Sequence, residues 1–271
     1  MIGAMKAGTD SLWEYLRAHP QVFMSVPKEL DFFVTELNWE RGPEWYESHF
    51  RQLASVKVVG EASTSYSKWP FYKEVPRNIA SLLPDARLVY LVRNPIERIR
   101  SQYLHQRLLG LERRPIDDAV LADPSYLNFS RYSMQLRQYL DYFDASHILV
   151  LVSEDLRYDR RVTMGRLAHF LGIDESWPEA ALSESFHNTA DKRVLRGPFA
   201  LAHKLPGHDV LARRLPDVVK QKSFSLRARG IDTSQFILSH EIHSRLAEEL
   251  HEEMDGLRTY LGGCFHCWGL I

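Results

Sequence analysis

Residues 1–12 read Met-Ile-Gly-Ala-Met-Lys-Ala-Gly-Thr-Asp-Ser-Leu: a short apolar lead, a glycine-containing loop and the start of a helical pattern. Such a loop directs backbone N–H groups and Lys6 at an anion, with the positive end of the next helix behind them. It is not a Walker A loop, because that motif places its lysine after the second glycine, whereas Lys6 precedes Gly8. The stretch therefore predicts either an anion-binding loop or a plain strand–turn–helix connection.

Strand and helix patterns alternate along the chain. Apolar runs that indicate strands lie at 57–61, 87–92 and 147–153. Helical patterns lie at 9–19, 74–83, 95–110, 132–143, 158–172 and 239–261. Thr9 or Asp10 is expected to cap the first helix, and Asn94 the third, with Pro95 at its first position. The alternation predicts an α/β fold with a P-loop-like parallel sheet flanked by helices on both faces, and ligands beyond the carboxyl ends of the strands.

Length and composition indicate one globular domain spanning residues 1–271, in which 45% of the residues are hydrophobic and 25% charged. Residues 195–235, rich in proline, glycine and basic residues, are expected to form an irregular segment covering the site. A formal net charge of -1 argues against a nucleic-acid partner. No apolar run reaches the roughly 18 residues that a membrane span needs.

The two cysteines, Cys264 and Cys267, are interpreted as structural thiols. With His266 they supply fewer than the roughly four ligands of a structural zinc site, so no metal is predicted. Scarce cysteine favours a reducing, cytoplasmic location.

Three further segments accompany the loop: PKELDFF at 27–33, RLVYLVRNPIERIRSQY at 87–103 and RYSMQLRQY at 131–139. In this order and spacing, the set resembles the sulfotransferases that use 3'-phosphoadenosine-5'-phosphosulfate (PAPS), in particular the heparan-sulfate-type and bacterial branch. The resemblance covers about residues 1–195. It implies PAPS as sulfuryl donor, PAP as product and no metal requirement.

The resemblance also implies a donor site. Lys6 would contact the 5'-phosphosulfate, while Arg93 and Ser101 match the pair that holds the 3'-phosphate. A structural ion pair is the alternative for Arg93, and Arg98 and Arg100 are interpreted as solvated helix charges. The expected cofactor-binding residues are Lys6, Ala7, Gly8, Thr9, Asp10, Arg93, Ser101, Lys192 and Arg193. Asp10 departs from the family pattern, because an acid would repel phosphate unless it points away.

On the acceptor side, Glu29 matches the glutamate that deprotonates the acceptor in heparan-type enzymes, and His105 is the rival base. The expected substrate-binding residues are Glu29, Phe32, Phe33, Glu61, Ser63 and Tyr66. Ala62 falls where heparan-type enzymes carry a lysine, which argues against a uronic-acid polymer. We expect a small or medium acceptor with a hydroxyl, less an amine, and a glycan is the alternative.

Two other functions compete with the sulfotransferase. One is a P-loop kinase or nucleotide hydrolase, which would need a lysine after the second glycine and a magnesium-binding acid at a strand end. The other is a PAP(S)-binding module without catalysis.

Overall fold

The computed structural model describes residues 1–50, 56–178 and 236–270. The predicted covering segment 195–235, with Lys192 and Arg193 just before it, lies outside the described residues. The single-domain boundary 1–271 therefore stays a prediction.

The strands of the described part form two parallel pairs. Their bounds are β1 Val22–Met24, β2 Val58–Gly60, β3 Leu88–Val92 and β4 Ile148–Val152. Strand β1 pairs with β2, and β3 pairs with β4 in the register Leu88 to Ile148. All five residues of β3 are buried, as expected for a strand covered on both faces.

The amino-terminal residues 1–4 join the two pairs. On one side, the N–H groups of Ile2 and Ala4 donate to the carbonyls of Val89 and Leu91 at 2.9 and 2.7 Å. On the other side, the carbonyl of Met1 accepts from the Ser63 N–H at 3.2 Å, just beyond the end of β2. Glycine is required at position 3, because a Cβ there would lie 2.0 Å from the Ser67 hydroxyl oxygen. The predicted α/β fold with parallel strands is confirmed.

Helices pack against these strands. Their bounds are α1 Thr9–Ala18, α2 Pro43–Glu47, α3 Val75–Leu82, α4 Pro95–Leu108, α5 Ile116–Ala122, α6 Ser125–Asn128, α7 Tyr132–Leu140, α8 Ser153–Tyr158, α9 Arg160–Leu171, α10 His240–Gly256 and α11 Arg258–Leu261. The predicted cap of α4 is confirmed, because the Asn94 side chain accepts from the N–H groups of Ile96 and Glu97 at 3.0 and 3.1 Å. The expected cap of α1 was wrong: Gly8 occupies the cap position, and no side chain caps this helix.

Arg98 corrects a second expectation, since it is a fully buried residue of α4 rather than a solvated charge. Its guanidinium donates to the Ser130 hydroxyl, the Gln102 side-chain carbonyl and the Tyr126 carbonyl at 2.6, 2.8 and 2.6 Å. Burial lowers the pKa of Arg98 to about 10, which leaves it charged at neutral pH. Arg98 therefore holds α4 against α6 and the turn that follows it.

A cavity in the described part of the chain has a volume of about 1250 Å³. It runs between β2 and β3, from their amino ends at Lys57 and Arg87 up to Glu61 and Tyr66. The loop at Lys6, by contrast, lies at the carboxyl ends of the strands. The cavity and the predicted anion loop are therefore different places in the fold.

Candidate active site

The predicted anion loop is a tight turn between residues 1–4 and α1. Lys6 and Gly8 both have left-handed backbone, with φ of 71° and 96°. Helix α1 begins directly at Thr9, whose side chain is buried, so the amino terminus of the helix follows the loop at once. Asp10 is exposed in that first turn. The turn therefore brings Lys6 and a helix amino terminus to the same edge of the sheet, as an anion site requires.

Arg93 connects this loop to the end of β3. Its guanidinium donates to the carbonyl of Lys6 at 3.4 Å and lies 3.7 Å from the Glu97 carboxylate. Its own carbonyl accepts from the Tyr132 hydroxyl at 2.8 Å. The side chain is 28% exposed. Arg93 thus makes an ion pair and also contacts the predicted anion loop, and its role toward the 3'-phosphate stays a prediction.

Ser101 and His105 lie one turn apart on α4, the helix that begins two residues after Arg93. Both are half-buried. Their position on the helix that leads away from Arg93 agrees with the arrangement that the sequence predicted. Their roles toward a phosphate and an acceptor stay predictions.

Glu29 lies on the loop that crosses the ends of β1 and β2. Its N–H donates to the carbonyl of Ala62 at 2.9 Å, and its backbone φ is 62°. Its carboxylate accepts from both the N–H and the hydroxyl of Thr64, at 2.8 and 3.0 Å. Left-handed backbone in residues other than glycine concentrates at functional sites, and Lys6 and Glu29 share this property. The carboxylate is therefore fixed in one orientation while its side chain stays 34% exposed.

Lys28 links Glu29 to the anion loop. Its ammonium contacts the Glu29 carboxylate, lies 2.9 Å from the Asp10 carboxylate and donates to the Thr9 hydroxyl at 3.4 Å. The Lys28 side chain is only 14% exposed. Burial alone would lower the pKa of Lys28, but the two carboxylates outweigh burial and raise it above its usual value. Lys28 is therefore a charged residue inside the site, between the loop and Glu29.

A buried polar network packs against the loop that carries Glu29. The Tyr66 hydroxyl donates to the Glu61 carboxylate and accepts from the Phe33 N–H at 3.3 Å. The Ser63 hydroxyl accepts from the Asp31 N–H at 3.0 Å. Burial raises the pKa of Glu61 to about 7, although the hydrogen bond from Tyr66 opposes this shift. Glu61, Ser63 and Tyr66 therefore hold the loop in place, and an acceptor-lining role for them stays a prediction.

Phe32 and Phe33 are almost fully buried, at 1% and 2% exposure. Phe32 stacks on Tyr46 with a centroid distance of 4.6 Å, and Phe33 packs edge-on against Tyr66 at 5.7 Å. Their visible role is to anchor the Glu29 loop in an aromatic core. Their predicted contact with an acceptor stays a prediction.

Two residues of the site were missed at the level of sequence. Lys28 was not singled out, because nothing in PKE reveals that Asp10 and Thr9 fold against it. Thr64 was passed over as part of a polar run. Both residues could have been found from their neighbours in the sequence, because Lys28 adjoins Glu29 and Thr64 adjoins Ser63.

Within the described ranges, no group of three or more His, Cys, Asp or Glu side chains could hold a metal ion. Cys264 is exposed and Cys267 buried, and both thiols are free. In the same ranges, every helix is too short or too polar to cross a membrane.

The chain belongs to the sulfotransferase domain family, because the model of that family matches residues 1–198. Among curated relatives, it is 32% identical over 185 residues to the human heparan sulfate glucosamine 3-O-sulfotransferase 6, covering 64% of this chain and 51% of that protein. It is 30% identical over 201 residues to the human bifunctional heparan sulfate N-deacetylase/N-sulfotransferase 2, covering 64% and 22%. The chain thus matches about half the length of the first relative, and less of the second.

Solved structures agree with the fold. A sulfotransferase from Alicyclobacillus acidocaldarius superposes with a TM-score of 0.60 at 23% identity, covering 81% of this chain and 97% of that one. This likeness shows a shared fold. The predicted sulfotransferase resemblance is confirmed by the family match, which also favours it over the P-loop kinase alternative.

Proposed function

We propose that this domain is a PAPS-dependent sulfotransferase that moves the sulfuryl group of PAPS to a hydroxyl of a small or medium acceptor and releases PAP. The observation that carries the proposal is one continuous set of contacts. It runs from Arg93 to the Lys6 carbonyl, and from Thr9 through Lys28 to Glu29. A cationic strand end, an anion loop and a fixed carboxylate therefore meet at one edge of the sheet.

The donor side suits a nucleotide that carries phosphate groups at both its 5' and its 3' position. The left-handed turn at Gly8 and the start of α1 offer N–H groups to the 5'-phosphosulfate, with Lys6 as the cation of the loop. Arg93 and Ser101 would hold the 3'-phosphate, since a guanidinium and a hydroxyl suit a phosphate dianion. Ala7 and Asp10 complete the donor site in the described part, while Lys192 and Arg193 are proposed to close it.

The acceptor side needs a group that takes a proton. During transfer, an oxygen of the acceptor forms a bond to sulfur, the bond from sulfur to the 5'-phosphate oxygen breaks, and the acceptor proton passes to Glu29. Lys6 stabilises the negative charge that builds on the leaving phosphate oxygen. Glu29 is favoured over His105 as the base because Thr64 and Lys28 fix its carboxylate beside the loop.

The proposed acceptor class is supported by a difference in sequence between this chain and heparan-type sulfotransferases. Their names specify heparan sulfate, a glycan, so a glycan acceptor is the second candidate for this chain. Ala62 stands where the heparan-type enzymes carry a lysine, and the loss of that positive charge disfavours a polyanion. A hydroxyl on a compact, uncharged acceptor does not need this charge.

Metal independence and a cytoplasmic location belong to the same proposal. The chemistry needs no metal where Lys6 and Arg93 supply the positive charge, and an assay in EDTA checks this. The location rests on the scarcity of cysteine, with both thiols free.

Turnover with labelled PAPS tests the function directly. Compact alcohols, phenols, oligosaccharides and heparan-type polymers serve as acceptors, and transfer of label to a hydroxyl compound is the expected result. A protein that binds PAP but transfers label to none of these classes would be a PAP(S)-binding module instead.

A further inference from the structure

Asp10 raises a problem of charge in the donor site. It lies in the first turn of α1, directly after Thr9, with a side chain that is 62% exposed. An unscreened carboxylate at this point would repel the 5'-phosphate end of the donor. Favourable interaction with the helix dipole does not remove that repulsion.

Lys28 lies where it can offset this charge. Its ammonium is 2.9 Å from the Asp10 carboxylate, and its second carboxylate partner is Glu29. The ammonium also donates to the Thr9 hydroxyl, so it touches the first helical residue of the anion loop. At 14% exposure it is well shielded from water, so its interaction with Asp10 is screened less than that of a surface pair.

We propose that Lys28 is a positioning residue for donor binding: its ammonium neutralises Asp10 and holds that carboxylate aside, which lets the loop accept a doubly charged 5' end. The inference rests on the proposed function, because it takes the loop to be the site of the 5'-phosphate. Lys28 acts through Asp10 and is not itself assigned a contact with the donor. The raised pKa of Lys28 agrees with this role, since its charge persists near neutrality and above.

A double-mutant cycle with PAP as the probe tests this. Lys28→Met keeps the length of the side chain but removes the positive charge 2.9 Å from the Asp10 carboxylate, so PAP should bind about 10-fold more weakly. Lys28→Met combined with Asp10→Asn removes one charge of each sign and should return the Kd to within about threefold of wild type. A structural role of Lys28 would not produce that recovery. Lys57→Met is the matched control. Lys57 lies just before β2 and forms an exposed ion pair with Asp174, so its loss should not change PAP binding.

A second ligand locates the effect. Adenosine 3'-monophosphate lacks the 5'-phosphate, so its affinity should be the same in wild type and Lys28→Met, whereas adenosine 5'-monophosphate should lose affinity as PAP does. Equal loss for both nucleotides would indicate a general disturbance of the site and overturn the inference. So would a double variant that binds PAP as weakly as Lys28→Met, or a Lys28→Met protein that binds PAP like wild type. A wild-type protein that binds no PAP at all would overturn the proposed function as well.

Discussion

The guanidinium of Arg93 donates to the backbone carbonyl of Lys6 at 3.4 Å. This contact joins the end of β3 to the turn that precedes α1, two segments that are distant in sequence. It positions a cation beside the loop without occupying the N–H groups that would bind an anion. The same guanidinium has a further partner in Glu97 at 3.7 Å, a partly exposed pair that a phosphate can replace at little cost.

Glu29→Gln should lower kcat by about 10²–10⁴ and leave PAP affinity nearly unchanged, because the amide keeps the shape but cannot take the acceptor proton. Steady-state kinetics and calorimetry on the same preparation measure the two quantities. Glu74→Gln, in an exposed pair with Arg77, is the control and should behave as wild type. An active Glu29→Gln protein together with an inactive His105→Ala protein would transfer the role of base to His105.

Glu61 should make the stability depend on pH. Burial raises its pKa in the folded protein to about 7, from 4.5, so the folded state binds this proton more tightly than the unfolded state. The free energy of unfolding should therefore fall as pH rises from about 4.5 to 7, by up to about 3 kcal/mol from this group alone.

Denaturant titrations of wild type and Glu61→Gln across this range isolate the contribution of Glu61. The difference between the two proteins should shift in favour of Glu61→Gln as pH rises. A difference that stays constant with pH would show that the pKa of Glu61 is not raised.

Arg98→Ala should lower the free energy of unfolding by about 3–5 kcal/mol, because it leaves the buried Ser130, Gln102 and Tyr126 carbonyl without their donor. Arg100→Ala on the same helix breaks a partly exposed pair with Glu97 and should cost less than about 1 kcal/mol. Chemical denaturation measures both. Similar costs for the two would contradict the buried role of Arg98.

The salt dependence of acceptor KM should discriminate between acceptor classes. For a compact neutral acceptor, KM should barely change between low and moderate ionic strength, whereas binding of a polyanion should weaken steeply. The basic residues that could hold a polyanion lie outside the described part of the chain, at Arg213, Arg214, Lys220, Lys222, Arg227 and Arg229. A steep dependence that disappears when these residues are neutralised would favour a glycan polyanion.

Much of this fold could be predicted from the sequence because helix starts and buried strands depend mainly on residues that are adjacent in the chain. Asn94 followed by Pro95 identified the start of α4, and the apolar run of β3 marked a buried strand. Strand β1, three residues long, escaped prediction, whereas β2, of the same length, was predicted from the apolar run at 57–61. Burial of Arg98 and the contact between Lys28 and Asp10 depend on segments that meet only in the folded chain, so neither was visible in the sequence. The family resemblance directed attention to Lys6, Glu29 and Arg93, while the orientation of each came from the structure.

The most direct test of the central claim is a calorimetric comparison of PAP with ATP–magnesium, in wild type and in Arg93→Ala. We predict that wild type binds PAP far more tightly than ATP, which lacks a 3'-phosphate, and that Arg93→Ala loses about 2–4 kcal/mol of PAP binding while its weak ATP binding hardly changes. Arg77→Ala, an exposed arginine of α3, should bind PAP as wild type does. Equal affinity of wild type for PAP and ATP would contradict the assignment of this domain as a PAPS-dependent sulfotransferase.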